Sequence, residues 1–395
     1  MKIDTFQYEN KAAGLKISPI DFNSDLTLLV GASGVGKTLI LSAIGELIRI
    51  VRGASLNGVE WEIKFSSDKE HKYLWKGAFE TIDFEKRLQS SYLLKSDDIE
   101  NALKPKIIQE LLQLNDEPIR IIERNDKTFK FKGTEAFPKP SSYKSGINLF
   151  ADVDDIIIAY KGLNQINLFQ NFRPDVIYAS SELINNLAKY KTLDEIRNSD
   201  LSTYMKLFIV YKNFHDDIFK EIKENFILIF PQISDLSMGI IEPIHIPEPL
   251  HMPNIVDDNN YKFFLQIKEK DVEKWINPPS ISMGMFKTLL LISERYLCNN
   301  ETVILIDEFE NSLGLNCIDA AVDNIFNVEQ DLQFIITSHH PYIINNIDMN
   351  HWKVVSRKGG VISTKTARDL RLGESRHEAF KQLIQSPDYS KGINV

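Results

Sequence analysis

Gly31-Ala32-Ser33-Gly34-Val35-Gly36-Lys37-Thr38 sets glycines, a lysine and a threonine in the spacing G-x-x-x-x-G-K-[ST]. The chemistry open to such a run is phosphate capture. Its glycines let backbone N–H groups converge on the β- and γ-phosphates of a ligand, and a helix opening near Gly36 adds the positive end of its dipole. The Lys37 ammonium neutralises phosphate charge, and the Thr38 hydroxyl is a hard oxygen ligand suited to Mg2+. The apolar run Leu26-Thr27-Leu28-Leu29-Val30 before the motif is the strand that must hold it. Ile40, Ala43, Ile44, Leu47 and Ile48 share one face of the helix that must follow. The ligand class this implies is a nucleoside triphosphate, ATP, with Mg2+. A glycine-rich turn that binds nothing is the alternative, and the flanking strand and helix count against it.

Three further constellations lie far along the chain. Val303-Ile304-Leu305-Ile306-Asp307-Glu308 reads as a buried strand ending in two carboxylates at the ligand edge of a parallel sheet. There Asp307 would hold the Mg2+ shell through water, and Glu308 would polarise the attacking water as general base. Thirty-two residues on (339 − 307), Leu332 to Ser338 is another apolar strand, followed by His339. A histidine there can hydrogen-bond a γ-phosphate or the lytic water. His339 and His340 as a metal pair is a poorer reading. Neighbours on a strand face opposite ways, and no Cys or acidic cluster stands at metal spacing. Ile281-Ser282-Met283-Gly284-Met285-Phe286-Lys287 opens an apolar helix with Ser282 at its N-cap, 23 residues before Asp307 (307 − 284).

The elements that must position these groups follow from the pattern. Of 395 residues 43% are hydrophobic, and the net charge of −9 leaves no global basic field, so nucleic acid would need a local patch. Two cysteines, Cys298 and Cys317, are too few for a disulfide scaffold and point to a reducing cytoplasm. The N-terminus reads as a strand rather than a signal peptide, and no run of eighteen apolar residues occurs, so no membrane partner is expected. Strands are expected at residues 2–8, 15–22 and 26–30, a helix at 37–51, and an antiparallel sheet from alternation at 61–65 and 73–79. A strand pair covers 119–122 and 128–131, turning at Asn125-Asp126. Residues 134–147 read as a Pro- and Ser-rich linker. Leu207, Val210, Tyr211, Phe214, Ile218, Ile222 and Phe226 then fall at helical intervals up to Pro231, within a helical block at about 150–230. Residues 241–254 are Pro-rich and read as irregular. Strand–helix–strand alternation returns from Tyr261, and a hairpin over 352–366 turning at Gly359-Gly360 and a short helix near 377–384 follow.

The phosphate loop, the Ser282 turn, the Asp307-Glu308 strand and the His339 strand, in that spacing along the chain, resemble the ABC-type ATPases, in the branch that includes SMC, RecF and OLD-like proteins. The resemblance covers about residues 1–60 and 260–350. It implies an α/β ABC-type P-loop ATPase with mixed parallel and antiparallel sheets and an inserted helical subdomain. An N-terminal ATPase lobe would occupy 1–147, the helical insertion 148–240, and a C-terminal lobe with signature, Walker B pair and switch histidine 241–395. It also implies that Ser282 and Gly284 reach the γ-phosphate held by another protomer, so that ATP is sandwiched in a head-to-tail homodimer or larger homo-oligomer. Phe309-Glu310-Asn311-Ser312-Leu313-Gly314 looks like the D-loop of that interface, and Thr-Ser-His-His-Pro around His339 is similar to the family's switch. Met283 and Gly314 depart from the common pattern, and Gln89 is the one candidate for the Q-loop glutamine. The wording from Ile306 to Ser312 is similar to stand-alone ATPases of bacterial anti-phage operons. OLD proteins fuse such an ATPase to a Toprim nuclease. The 55 residues after His340 (395 − 340) are too few for that domain, which points to a separate effector of nuclease or toxin type.

Two functions lead at this level, ahead of a transporter ATPase subunit, which the antiparallel strands, the helical insertion and the lack of a membrane-spanning run count against, and of a kinase or helicase. One is an ATP-driven switch that assembles and controls an effector, in defence against phage. The other is a DNA repair or chromosome-maintenance ATPase that touches DNA directly. Lys127, Lys130, Lys132, Lys139 and Lys144, interleaved with Phe129, Phe131 and Tyr143, are the DNA-facing candidate.

Overall fold

The structure is a computed structural model. It describes residues 1–68, 70–83, 103–114, 119–136, 138–169, 176–180, 187, 189–241, 260–314, 317–320, 322, 331–373 and 375–390. Gln89 and nearly all of the Pro-rich stretch 241–254 lie outside them. Two units are resolved, one formed by residues 1–169, 301–309 and 331–395, the other by 170–300 and 310–330. Residues 148–169, expected within the helical insertion, thus fall in the first unit.

The first unit runs β1 (Lys2–Asn10), β2 (Leu15–Asp21), β3 (Leu26–Val30), α1 (Lys37–Val51), β4 (Val59–Ser66), β5 (Lys72–Phe79), β6 (Ile107–Leu114), β7 (Arg120–Asn125), β8 (Phe129–Phe131) and β9 (Thr134–Glu135). It continues with α2 (Asp154–Asn164) and β10 (Ile166–Phe169). The second unit contributes β11 (Ile177–Ser180), α3 (Thr203–Asn213), α4 (Lys220–Ile229), β12 (Ile233–Ile241), β13 (Asn260–Glu269) and α5 (Met283–Leu297). The chain then returns to the first unit with β14 (Val303–Ile306), β15 (Gln333–Ser338), α6 (Pro341–Asn346), β16 (Trp352–Lys358), β17 (Val361–Thr366) and α7 (Arg376–Gln385).

Fourteen strands of the first unit form one sheet, ordered β10-β14-β15-β3-β16-β17-β2-β1-β4-β5-β6-β7-β8-β9. Its two halves are written differently in the sequence. Strands β3, β14 and β15 are buried at every residue, as parallel strands covered on both faces must be. Strand β4 alternates buried and half-buried residues throughout, the mark of an antiparallel strand with one face in solvent. Strands β10, β14, β15, β3 and β16 run parallel, with Ile306 beside Ile336 and Ser338 beside Val30. The ends of β14, β15 and β3 therefore meet at one carboxyl edge. Helix α1 covers that region with Ile40, Leu41, Ile44 and Leu47. Trp61, Trp75 and Phe79 fill the antiparallel half, with Trp61 and Trp75 edge to face at 5.1 Å.

The expected linker at 134–147 is fixed into this unit. Ser145 is buried, its hydroxyl donates to Ile50 O (3.1 Å) at the end of α1, and the same oxygen accepts Asn148 N. Strand β10 is a correction, because it lies inside the block read as helical. Phe129 is buried and Phe131 stacks on Phe150 (5.6 Å), while Lys132 pairs with Asp155 (2.5 Å).

In the second unit the helix expected from 207 to 226 is broken. A π turn, His215–Phe219, joins α3 to α4 and gathers Tyr211, His215 and Phe219 into one ring cluster. Strands β11-β13-β12 form a separate antiparallel sheet that packs Phe263 on Phe208 (4.0 Å). Tyr204 meets Phe286 of α5 edge to face at 5.2 Å, and its hydroxyl accepts Leu265 N.

Candidate functional site

Four segments of the first unit converge where β3, β14 and β15 end. Residues 31–36 form the loop from β3 into α1. Its glycines take left-handed or otherwise positive angles, φ 153° at Gly31, 83° at Gly34 and 101° at Gly36. Two of these glycines are also required for space. A Cβ on Gly31 would stand 2.7 Å from Val355 O of β16, and one on Gly36 would run into the Ile362 side chain of β17. The hairpin β16–β17 thus buttresses the loop from outside. No side chain caps α1 at Gly36, unlike α3, α5 and α7, whose first turns are capped by Ser202, Ser282 and Ser375. The N-terminus of α1 thus opens directly onto the phosphate loop, where its dipole favours an anion.

Lys37 Nζ folds back over the loop and donates to Gly31 O (2.7 Å) and Ala32 O (3.0 Å). An ammonium held on two carbonyls at the mouth of the loop is a cation placed beside incoming phosphate. Ser33 and Gly34 are exposed at the tip, and Val35 is buried beneath it.

The carboxylates enter from β14. Asp307 Oδ2 accepts the Thr38 hydroxyl (2.9 Å), and its Oδ1 accepts the Thr337 hydroxyl (2.7 Å) from β15. Glu308 is exposed and has φ 45°, an uncommon angle for a non-glycine residue. Its N–H donates to Thr337 Oγ1 (2.8 Å), and the next N–H, of Phe309, donates to Thr337 O (2.9 Å). His339 follows β15 and is exposed. His340 has a structural task instead: its Nδ1 accepts Tyr342 N (3.3 Å) and caps α6, with Pro341 at the first helical position. Among the described residues no group of three or more His, Cys, Asp or Glu side chains could hold a metal, so the His339–His340 pairing has no third ligand of those types there.

The first unit therefore unites Gly31 to Thr38, Asp307, Glu308 and the His339 strand. Thr337 is the residue that sequence reading missed; it stands next to last in β15, two residues before His339. The oxygen donors Thr38 and Asp307, already within hydrogen-bond distance, match the hard donor set of Mg2+.

Ser282 and Gly284 belong to the second unit. Ser282 is the N-cap of α5, accepting Met285 N (3.2 Å). A Cβ on Gly284 would collide with Ser312 O, so the glycine lets the 310–314 turn lie against the first turn of α5. Ser312 itself has φ 66°, and buried Lys287 donates from Nζ to Asn311 O (3.0 Å). The Ser282 turn and the 310–314 turn thus form one surface, with Ser282 exposed on it. The resemblance sets both segments at one interface; the contact between Gly284 and Ser312 is what the structure adds.

Residues 26–345 match the family described as "AAA domain, putative AbiEii toxin, Type IV TA system". No curated protein matches the sequence. Similar solved structures include the SMC head bound to the C-winged helix domain of ScpA, at 15% identity over 93% of this chain and 97% of that one, TM-score 0.45. Another is the Smc head domain with an extended coiled coil bound to the C-terminal domain of ScpA derived from Pyrococcus furiosus, at 15% identity over 97% and 99%, TM-score 0.41. A third is the SMC head domain from Thermotoga maritima, at 12% identity over 93% and 99%, TM-score 0.39. The chain belongs to the AbiEii-type AAA-domain family, and its fold is α/β, with the phosphate loop between β3 and α1.

Proposed function

We propose that this ATPase is a switch that assembles through shared ATP sites and controls a separate effector, in defence against phage. The single observation that carries the ATP chemistry is the hydrogen-bonded chain Thr38–Asp307–Thr337, which fixes the Walker-type carboxylate between the phosphate loop and β15. In this reading residues 31–36 cradle the phosphates with backbone N–H groups, and Lys37 moves from its carbonyls onto them. Thr38 and Asp307 hold Mg2+, which when bound neutralises phosphate charge. Glu308, projecting from its left-handed turn, takes a proton from the attacking water. His339, just past the end of β15, meets the γ-phosphate side. Ser282 and Gly284 complete the site of a second copy, so ATP joins two protomers; hydrolysis separates them. The exposed Ser282 surface supports this division of labour.

The defence setting is supported by the family description, and the separate effector is part of the same reading. Direct DNA contact through the 127–144 hairpin is less well supported, because Phe129 is buried and Phe131, half-buried, already stacks on Phe150. The reading is tested with Lys37→Ala, which removes the counter-charge. Calorimetry is expected to show ATP binding lost, and unchanged affinity would refute it.

A further inference from the structure

The geometry points to Thr337 as the positioning residue of the hydrolytic pair: through one hydroxyl it orients the Asp307 carboxylate and pins the Glu308 backbone. The inference rests on the ATPase reading above and gives Thr337, the last member of its hydrogen-bonded chain, a role of its own.

A threonine hydroxyl has one proton to give and lone pairs to receive. Thr337 spends both on neighbouring residues of one motif. The proton goes to Asp307 Oδ1 (2.7 Å), and the lone pair takes the Glu308 N–H (2.8 Å). The group is fully buried, so water does not compete for either bond. Asp307 is then held at both oxygens, by Thr337 on one and Thr38 on the other, and its plane cannot turn. Glu308 is held at φ 45°, where a non-glycine backbone is strained and persists only if its surroundings fix it. Two adjacent bonds do so, Glu308 N to Thr337 Oγ1 and Phe309 N to Thr337 O. If the turn relaxed to a negative φ, the Glu308 carboxylate would leave its place at the mouth of the site. Position 337 lies in a strand whose six residues are all buried. Valine would satisfy packing and strand propensity there at least as well. The hydroxyl is what the strand does not need and the site does.

The experiment uses the full chain and four variants. Thr337→Val keeps the shape and removes the hydroxyl. Thr337→Ser keeps the hydroxyl and removes a methyl. Glu308→Gln is made alone and with Thr337→Val. Affinity for ATP is measured with Mg2+ and with EDTA, and turnover is measured at saturating Mg2+–ATP. Removing an outer-shell partner of a metal-binding carboxylate costs about 10- to 100-fold in metal affinity or activity. Thr337→Val is expected to lose that much turnover and about tenfold of the Mg2+-dependent gain in affinity, with affinity in EDTA unchanged. Thr337→Ser is expected to recover both. In the Glu308→Gln background Thr337→Val is expected to add no further loss of turnover, because the two act as a unit.

Wild-type Mg2+ dependence and turnover in Thr337→Val would overturn the assignment. So would a serine variant as impaired as the valine one at an equal melting temperature. If Thr337→Val does not fold, Thr337→Ala removes the hydroxyl without adding bulk and replaces it under the same criteria. If the wild type binds Mg2+–ATP but does not turn it over, the hydrolysis reading fails, and the Mg2+ comparison alone decides the role of Thr337. If the wild type binds no nucleotide in either buffer, both fall.

Discussion

Replacing Gly36 with alanine separates two reasons for a glycine at the last turn of the phosphate loop. The first is backbone: φ is 101°, an angle that side-chain-bearing residues reach at a cost of about 1–3 kcal/mol. The second is space: the new Cβ would overlap Ile362 Cδ1 and stand 3.0 Å from its Cγ1, and Ile362 is fully buried in β17. Overpacking of this kind costs about 1–3 kcal/mol. Together they amount to at least about 2 kcal/mol against the observed loop, or roughly thirtyfold in ATP affinity if that loop is the binding conformation. Ile362→Val removes the Cδ1 methyl itself, at a cost in stability of about 0.5–1.5 kcal/mol. The assay is ATP titration by calorimetry, with thermal denaturation as control. Gly36→Ala is expected to bind at least about thirtyfold more weakly, and Gly36→Ala with Ile362→Val to recover part of the loss but not the backbone share. Wild-type affinity in the single variant would refute the loop geometry. Full recovery in the double variant would show that the positive φ carries no cost.

Glu308→Gln is expected to bind ATP and hydrolyse it at least about a hundredfold more slowly, accumulating the ATP-bound assembly; size-exclusion chromatography with ATP and a phosphate-release assay check both. Wild-type turnover would remove Glu308 from the role of base. Arg124→Leu leaves the fully buried Glu110 carboxylate without its cation, with the Trp75 and Gly146 N–H groups as its remaining partners among the described residues, and is expected to cost about 3–5 kcal/mol of unfolding free energy in urea. Converting Glu110 to leucine as well is expected to return most of that loss. A single variant as stable as wild type would mean the pair is not the buried charge couple it looks to be.

Where the sequence was legible, one physical pattern dominated. Runs of apolar residues closed by a polar group gave β3, β14 and β15, and strict alternation gave β4 and β5. Both follow from local burial alone. The phosphate loop was legible because its glycines and lysine have no purpose at that spacing except a phosphate. Strand β10 was not, since Ile166-Asn167-Leu168-Phe169 is too short to show a period and becomes a strand only by pairing with β14. The break at 215–219 was hidden because apolar spacing continues through a π turn with one residue of drift. The β6 segment Ile107–Leu114 carries apolar pairs that suit a helix as well as a strand, and long-range pairing with β5 and β7 decides it. Thr337 was passed over for the same reason as the Lys287–Asn311 bond: each acts on residues remote in the sequence, and nothing nearby marks its partner.

Sharing of the ATP site between copies is tested most directly by mixing two inactive proteins, Lys37→Ala and Ser282→Arg. Each alone lacks one half of every composite site. A mixed dimer holds one site with the intact loop of one copy and the intact Ser282 turn of the other. With random pairing the equimolar mixture is expected to regain about a quarter of wild-type ATPase activity. No recovery, with mixed dimers verified by mass, would contradict the shared site and leave each copy to bind and hydrolyse ATP alone.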